Sequence, residues 1–390
     1  MTARVLFYVQ HLMGVGHVFR AMRLVRALDA AGMDVDLVWG GEPIPNLDAG
    51  GAAVHFLPSL KAGTKVFREM EDRDGNVVDA AYRDRRRDML LDIFHATKPD
   101  IVITEAFPFG RRQMFFELLP LLEAIKAADK RPKLLCSVRD ILQENRKPIR
   151  DRETVDLLLE NYDGVLVHAD PAFVRLEDTF PHYDEIRHLV MYTGLVAPEA
   201  EDMVDPDSLE AFDVVVSVGG GVMGRELLFA AAEAKQLTQL ANGKWCFITG
   251  INMSREDVEH VRSLLSGDVT IVDFVPHLRS LLAKCGISVS RAGYNTVADV
   301  FRAGCKAVFA PLSDGEETEQ IRRVEMLAAK GLAATVAAND LSAQTLAQAI
   351  DEAFATPLDR QNLPILEGAQ TTAQLVAKLA QGAAVDGLAG

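Results

Sequence analysis

The amino-acid sequence predicts an α/β protein with two doubly wound domains, each a parallel sheet covered by helices on both faces. Short apolar runs rich in β-branched residues alternate with amphipathic helical runs, and this alternation is typical of parallel sheets. The order strand, glycine loop, helix begins the chain and occurs again at FDVVVSVGGGVMGRELLFAAAEA, residues 212–234. Between the halves, residues 197–211 are acidic and contain two prolines, as expected of a linker.

The first domain is predicted to span residues 1–197. Its first helix, at 18–28, places apolar side chains on one face and arginines elsewhere. Residues 61–88 are polar and include YRDRRRD at 82–88, which we interpret as an irregular excursion or a basic helix. Strands are predicted at 4–9, 34–39, 53–57, 100–104, 133–138 and 164–168.

The second domain is predicted to span residues 210–365. After the strand that begins at Phe212, further strands are expected at 244–249, 269–272, 286–289 and 306–310. Residues 366–383 are rich in Ala, Leu and Gln and are predicted to be helical. We expect this last segment, 366–390, to pack back toward the amino-terminal domain.

Composition favours a globular protein that acts in the cytoplasm. The chain has 390 residues, 49% hydrophobic and 25% charged, which is ordinary for a protein with full cores. No apolar run reaches the roughly 18 to 20 residues of a membrane span, and the first residues enter a strand without the features of a secretory signal. The four cysteines are far apart, so we expect reduced packing residues and neither disulfides nor zinc.

Charge is unevenly distributed. The net charge is −15, yet residues 1–150 hold 23 Lys and Arg against 20 Asp and Glu. An acidic chain argues against general nucleic-acid binding. The mildly basic first part is compatible with an anionic substrate or a lipid headgroup surface. Alternatively its charges simply lie on solvated faces, which we favour.

The stretch FPFGRRQMFFELL has two interpretations. Arg111 and Arg112 stand among phenylalanines, and aromatic residues beside a basic pair suit peripheral contact with a membrane surface and a lipid acceptor. Alternatively the phenylalanines belong to the core beneath the following helix, which we favour.

Two glycine loops are candidate anion sites. The first, in LMGVGHVFRAMRLVRAL at 12–28, contains Gly14 and Gly16 and leads into His17; the second contains Gly219, Gly220 and Gly221. Helix N-termini carry unpaired N–H groups and attract phosphate, although glycines there also serve tight strand-to-helix packing. Neither loop has the GK[ST] of a P-loop or a persuasive dinucleotide fingerprint.

A third candidate lies in GISVSRAGYNTVADVFRAGCKAVFAPLSDGEETEQIRRVEML, residues 286–327. A turn follows the strand, and Asn295 or Thr296 is placed to cap the next helix or to donate to a phosphate. The Asp299 carboxylate suits a sugar diol, because it accepts two O–H bonds. Glu319 and Gln320 suit further hydroxyls. Together these features predict a nucleotide-sugar pocket.

Nearly the whole chain resembles the MurG-type glycosyltransferases of family 28, which have the GT-B architecture of two Rossmann-like domains facing a cleft. GVGHVFRA resembles the family's amino-terminal loop, usually GGTGGHVFPA, and VSVGGGVMGRELL resembles its second glycine loop. The segment DFVPHLRSLLAKCGISVSRAGYNTVADVFRAGCKAVFAPL resembles the donor-site segment with the pattern SRxGxxTxxE.

The resemblance implies roles for individual residues. Val275 matches the base-contact position, and Asp299 matches the family's ribose-binding Glu. Glu319 and Gln320 fall where the family has a Gln–Gln pair facing the donor sugar, and His17 matches the histidine of the first loop. The remaining residues implied to bind the donor match the nucleotide-binding turn; they are Arg291, Gly293, Asn295 and Thr296.

The departures from the family pattern indicate a divergent branch. Asp at 299 shortens the reach by one methylene, and Glu at 319 points to a donor sugar other than N-acetylglucosamine. Val15 replaces a glycine of the first loop. Residues 104–124 and 137–146 have no counterpart in the peptidoglycan enzyme, so a different acceptor is expected.

The implied reaction is an inverting, metal-independent transfer of a hexosyl group, without a cofactor, from a nucleotide-diphosphate sugar, with UDP favoured, to a hydroxyl acceptor such as a lipid or cell-envelope precursor. A base must take the acceptor proton. His17 is the first candidate, because its ordinary pKa suits proton transfer near neutrality. Glu105 and Asp140, which follow predicted strands, are its rivals, and Arg139 is expected on the acceptor side together with Gly14 and Gly16.

Two other functions share this architecture. A non-hydrolysing nucleotide-sugar 2-epimerase turns over donor alone, and a non-catalytic subunit binds the nucleotide sugar without turnover. The presence of both halves in one chain argues against the second.

Overall fold

The computed structural model describes residues 2–12, 16–44, 47–63, 69–143, 147–199, 209–219, 224–275, 278–312, 318–358 and 362–385. The chain forms two compact units. The first comprises Met1–Leu142, Arg146–Ala197 and Glu367–Gly390, and the second comprises Gln143–Asn145 and Pro198–Leu366.

The first unit is built on a seven-stranded parallel sheet in the order β3-β2-β1-β6-β7-β8-β9. Two further short strands, β4 and β5, pair antiparallel. The strands are β1 Arg4–Val9, β2 Asp34–Trp39, β3 Ala53–Phe56, β4 Lys61–Ala62, β5 Met70–Glu71, β6 Ile101–Glu105, β7 Lys133–Arg139, β8 Gly164–His168 and β9 Val190–Tyr192.

Among its described residues, this unit has six α-helices. Helix α1 buries the apolar face that the sequence predicts, and the last helix, α12, packs against α1 in the same core through Ala373 and Val376. The helices are α1 Gly16–Ala30, α2 Ala80–Thr97, α3 Phe115–Ala127, α4 Pro148–Asn161, α5 Tyr183–Ile186 and α12 Gly368–Ala380.

The second unit repeats the plan with six parallel strands in the order β12-β11-β10-β13-β14-β15. The strands are β10 Phe212–Ser217, β11 Trp245–Ile248, β12 Val269–Val272, β13 Cys285–Ser290, β14 Lys306–Phe309 and β15 Ala334–Thr335. The helices are α6 Arg225–Ala234, α7 Arg255–Leu264, α8 Leu278–Leu282, α9 Tyr294–Ala303, α10 Glu319–Ala329 and α11 Ala343–Ala355.

The strand order places one switch point in each sheet, where the connections change direction. In the first unit it lies between β1 and β6, and in the second between β10 and β13. Ligands of doubly wound sheets bind beyond the carboxyl ends of the strands at such points. These two places are therefore where functional side chains are expected.

The basic segment YRDRRRD lies in helix α2, so the helical interpretation is correct for residues 82–88. Asp79 caps the helix by accepting a hydrogen bond from the Tyr82 backbone N–H. Arg86 is fully buried, unlike its neighbours. The predicted linker lies mostly outside the described residues. Within the described part of the chain, no helix combines the length and apolarity needed to cross a membrane.

Candidate functional site

The first switch point brings together two of the three candidate bases. His17 lies in the first turn of α1, directly after β1, and Glu105 is the last residue of β6. Because β1 and β6 are neighbours in the sheet, their carboxyl ends meet. His17 Nδ1 lies 2.8 Å from Glu105 Oε1.

Glu105 is the centre of a buried group of polar side chains. Arg20, one helical turn after His17, forms an ion pair with Glu105 Oε1. The Ser137 hydroxyl donates to Glu105 Oε2 at 2.9 Å and lies 2.9 Å from His168 Nε2. His168 Nδ1 lies 2.9 Å from Thr193 Oγ1. We call these residues the Glu105 network; its members are His17, Arg20, Glu105, Ser137, His168 and Thr193.

Electrostatics fix the charge of the central pair. Burial by itself raises the pKa of Glu105, but the Arg20 guanidinium and the hydrogen bond from His17 outweigh it and hold that pKa well below its usual range. Burial lowers the pKa of His17 to about 3, with help from Arg111 and Arg20 and against the hydrogen bond to Glu105. Near neutral pH the pair is an ionised carboxylate beside a neutral imidazole.

This charge state determines which nitrogen of His17 carries the proton. An ionised carboxylate only accepts hydrogen bonds, so Nδ1 donates across the 2.8 Å contact. Arg20 Nη2 is also a donor, but it lies farther from Nδ1, at 3.2 Å, and donates to Glu105 Oε1. The lone pair then lies on Nε2, to which no described residue is hydrogen-bonded. The His17 side chain is 21% exposed, so a substrate is able to reach it. The ordinary pKa on which the sequence expectation for His17 rested is wrong, because burial lowers it to about 3. What the structure does supply is a neutral ring with its Nε2 lone pair available to accept a proton.

The other predicted acceptor-side residues lie around the same edge. Gly16 is the first residue of α1 and Arg139 the last residue of β7, whereas Gly14 lies outside the described residues. Asp140, the third candidate base, is fully buried, and its Oδ1 accepts a hydrogen bond from the Ile141 backbone N–H at 2.8 Å.

The loop after Glu105 contains packing residues and one arginine near the network. Phe107 and Phe109 are buried, whereas Phe115 and Phe116 on α3 are half-buried, so the packing interpretation of FPFGRRQMFFELL holds for the first two phenylalanines. Arg112 forms an ion pair with Glu153. Arg111 has a left-handed backbone, with φ of 61°, and its Nε donates to the Gln10 carbonyl at 2.7 Å.

The second switch point brings together the two predicted donor loops. Ser217 at the end of β10 and Ser290 at the end of β13 are register partners, so the loops that follow them start side by side. Gly219 is exposed and left-handed, with φ of 68°. Gly220 and Gly221 lie outside the described residues. Gly224 is a packing residue, because a Cβ there would lie 2.3 Å from the Val218 Cβ.

The turn after β13 is held from two sides. Arg291 Nη1 donates to the Pro311 carbonyl at 2.8 Å, and Arg291 Nη2 lies 3.8 Å from Glu226 Oε2. Helix α9 then begins with Gly293 as its N-cap and without a side-chain cap. The expectation that Asn295 or Thr296 caps this helix is therefore wrong, since both follow the N-cap.

The remaining predicted donor residues are spread along the same edge. Asn295, Thr296 and Asp299 are half-buried on α9, and Val275 is half-buried after β12. Their contacts with a nucleotide or a sugar stay predictions.

Glu319 and Gln320 begin α10 and have different surroundings. Glu319 is buried, and its Oε1 accepts a hydrogen bond from Arg323 Nη2 at 2.7 Å. Arg323 Nη1 donates to the Ala292 carbonyl at 2.7 Å. This hydrogen bond ties α10 to the turn after β13, which we call the donor turn because the sequence predicts donor binding there. Gln320 Oε1 accepts from the Leu312 backbone N–H at 3.4 Å.

Comparison with known proteins identifies the second half of the chain. Residues 214–378 match the model of the glycosyltransferase family 28 C-terminal domain.

This part of the chain is therefore similar to the C-terminal domain of family 28 glycosyltransferases.

A UDP-N-acetylglucosamine–N-acetylmuramyl-(pentapeptide) pyrophosphoryl-undecaprenol N-acetylglucosamine transferase from Burkholderia thailandensis is 31% identical over 120 residues. That stretch is 31% of this chain and 31% of the relative, so the chain spans under a third of the length of the curated relatives it matches. The resemblance to MurG-type enzymes is confirmed at this level.

Solved structures show the fold of the whole chain. The calicheamicin glycosyltransferase CalG4 superposes with a TM-score of 0.59 at 17% identity, covering 97% of each chain. MurG from Acinetobacter baumannii superposes with a TM-score of 0.56 at 14% identity, covering 98% of this chain and all of the other. The chain that carries the family 28 domain has the GT-B fold, as the sequence predicts.

The residues of the Glu105 network that the sequence does not predict lie outside residues 214–378. Ser137, His168 and Arg20 bind or support Glu105, yet none was selected. Ser137 and His168 are polar residues near the carboxyl ends of otherwise apolar strands, and that position in a parallel sheet is the signal for them. Arg20 has no such signal, because its spacing matches a solvated face of α1.

Proposed function

We propose that this protein is an inverting glycosyltransferase that transfers a sugar from a nucleotide-diphosphate sugar to a hydroxyl acceptor. The observation that carries the proposal is His17, which is neutral and held at Nδ1 by the buried Glu105 carboxylate, in a chain with a family 28 C-terminal domain. UDP is the favoured nucleotide, because the curated relatives are named for a UDP-sugar donor.

In the proposed reaction His17 Nε2 takes the proton of the acceptor hydroxyl. The acceptor oxygen forms a bond to the anomeric carbon while the bond from that carbon to the diphosphate oxygen breaks, and the nucleoside diphosphate leaves with the electron pair. Glu105 stabilises the imidazolium that forms. Because burial keeps His17 neutral, the acid limb of the activity profile should lie below the ordinary histidine pKa of 6.5.

The leaving diphosphate needs compensation for its charge. The loop after β10 and the amino terminus of α9 offer backbone N–H groups from neighbouring strand ends. Backbone donors and a helix dipole neutralise a diphosphate without a cation. We therefore propose a metal-independent reaction. An acceptor from the cell envelope, presented at a membrane surface, is the class we would test first.

A thermal-shift panel identifies the donor. A ligand that binds only the folded state stabilises it by about 2.7 kcal/mol at a concentration 100 times its Kd. UDP, dTDP and GDP, each alone and as sugar conjugates, should separate clearly, with UDP compounds giving the largest shift. Absence of a shift with every nucleotide would contradict the proposal.

The base assignment predicts a large effect of H17Q. We expect kcat to fall by about 10² to 10⁴-fold, the usual contribution of a general base, while the thermal shift with the donor nucleotide stays unchanged. The measurement is nucleotide release with and without candidate acceptors.

H182Q is the matched control, because His182 Nδ1 also lies 2.8 Å from a carboxylate, that of Glu185, outside the Glu105 network. If H17Q and H182Q have equal rates, His17 is not the base. If the protein alone converts one nucleotide sugar into another, it is an epimerase.

A further inference from the structure

The proposed mechanism leaves three buried residues of the Glu105 network without a role. Ser137 lies on β7, His168 ends β8, and Thr193 follows β9. Ser137 and His168 are fully buried, and Thr193 is nearly so. Their hydrogen bonds cross the sheet from strand to strand and end at the Glu105 carboxylate, behind His17.

The charge of Glu105 determines the direction of the first two hydrogen bonds. A carboxylate only accepts, so Ser137 must donate its single proton to Glu105 Oε2 at 2.9 Å. Ser137 Oγ then has only lone pairs for His168 Nε2, which is also 2.9 Å away. Two lone pairs at that distance repel each other, so His168 Nε2 must carry a proton and donate it.

The next hydrogen bond follows from the neutrality of His168. Burial and the Arg20 charge together lower the pKa of His168 to about 3, against the opposing charge of Glu105. A neutral ring with its proton on Nε2 has a lone pair on Nδ1, so Nδ1 accepts from the Thr193 hydroxyl at 2.9 Å. Thr193 Oγ1 is also 3.0 Å from the Gly194 carbonyl, but donating there would leave two lone pairs facing each other.

We propose that Thr193, His168 and Ser137 are positioning residues, whose hydrogen bonds all point toward Glu105 and hold its carboxylate aligned with His17 Nδ1. The consequence is a pair of histidines with opposite tautomers, His17 protonated on Nδ1 and His168 on Nε2. Only the first tautomer presents a lone pair on Nε2 to an acceptor. The catalytic meaning of this arrangement rests on the proposed function, whereas the tautomers themselves do not.

Nitrogen NMR of the histidine side chains tests the arrangement without substrate. In the wild-type protein labelled with 15N-histidine, we expect the His17 ring to be neutral and protonated on Nδ1, and the His168 ring to be neutral and protonated on Nε2. The signals of these two rings are assigned by their loss in H17Q and H168Q. A wild-type His168 protonated on Nδ1, or a charged His168 at pH 7, overturns the proposal. The tautomers are read from the wild-type spectrum, and the two variants serve only to assign its signals.

A matched pair of variants tests the effect on catalysis. T193V removes the hydroxyl with little change of shape, and T193S keeps it. We expect T193V to shift His168 toward a mixture of tautomers and to lower kcat about tenfold without changing the KM for the donor, well inside the contribution of the base. T193S should behave as wild type. H168Q, whose amide is able to donate to Ser137, should retain more activity than H168L.

Equal tautomer spectra and equal kcat for T193V and T193S, in proteins with the same melting temperature, overturn the proposal. Failure of the proposed function looks different. No nucleotide sugar would then bind or react, while the histidine spectra would still report whether the hydrogen bonds point toward Glu105.

Discussion

The two units share one strand order, apart from the additional strand β9 of the first. They differ in the groups that they place at their switch points. Beyond β1 and β6, the first unit places an imidazole, a buried carboxylate and a buried guanidinium, those of His17, Glu105 and Arg20. Beyond β10 and β13, the second unit places a left-handed glycine, a turn held by Arg291 and the start of a helix. Under the proposed function, one topology would thus support two kinds of chemistry.

The difference is the one that the proposed function would require of the two places. A proton acceptor needs a defined tautomer and pKa, and only neighbouring charged and polar side chains provide them. A diphosphate needs several donors at close range, and backbone N–H groups provide them where no side chain intervenes. We infer that substitutions in the first unit should affect catalysis before ligand binding, and that substitutions in the second should do the reverse.

Each unit also contains a buried Arg–Glu pair, and the largest effect is expected in the first. Arg86 donates to Glu117 through Nε at 2.7 Å and Nη2 at 2.8 Å, and both side chains are fully buried. R86M leaves the Glu117 carboxylate buried without its partner, which costs about 3 to 5 kcal/mol. Chemical denaturation measures the loss, and R86M/E117Q should recover part of it.

R323M is the corresponding change in the second unit. Arg323 holds the Ala292 carbonyl of the donor turn, so we expect a weaker thermal shift with nucleotide in addition to any loss of stability. If R86M weakens nucleotide binding as much as R323M does, the division of labour between the units is wrong.

The sequence predicts the scaffold better than the site. Most of the strands appear where β-branched runs stand, because continuous apolar segments between helices have few alternatives in a parallel sheet. The shortest strands, β4, β5, β9 and β15, escape prediction because two or three residues show no periodicity. The sequence points to His17 and Glu105 as alternative bases and does not predict that they touch. They are 88 positions apart, and their contact depends on the order of the strands in the sheet.

The sequence also does not predict the ion-pair partners of Arg86 and Glu319. In the sequence Arg86 is indistinguishable from the other charges of a basic helix. Its burial depends on Glu117 from another helix. The Glu at 319 reads as a changed sugar contact. In the structure it pairs with Arg323, four residues later, and only the packing of α10 against the donor turn reveals that role.

A moderate effect is expected from acid, and it should concentrate in the first unit. The folded-state pKa of His17 and of His168 lies at about 3, below the ordinary 6.5. Between these values the unfolded chain binds more protons than the folded one, so stability falls as pH falls below 6.5. The slope is about 1.4 kcal/mol per pH unit for the fully buried His168 and less for His17, which water partly screens.

Denaturation at several pH values between 6.5 and 4.5 measures this slope. H168Q removes one titrating group and should flatten the slope, whereas H182Q, at a histidine that water reaches, should not. Equal slopes for wild type and H168Q would mean that His168 is charged in the folded protein, contrary to the neutral ring required between Ser137 and Thr193.

The smallest effect on stability is expected at Gly219, where the comparison becomes sharpest. A Cβ there meets nothing within 4 Å, so the cost of G219A comes only from the left-handed backbone at φ of 68° and is about 1 to 2 kcal/mol. We expect the variant to reduce that cost by changing the backbone at residue 219, which would move its N–H group relative to a bound diphosphate. We expect a weaker thermal shift with UDP in G219A, by titration a Kd raised about fivefold or more, while the histidine tautomers of the first unit stay as in wild type. G224A is the control, because its Cβ would press on Val218, which costs stability through packing. If G219A and G224A lose nucleotide affinity only in proportion to their lost stability, Gly219 serves only the left-handed turn and Gly224 only packing, and the diphosphate must be held elsewhere.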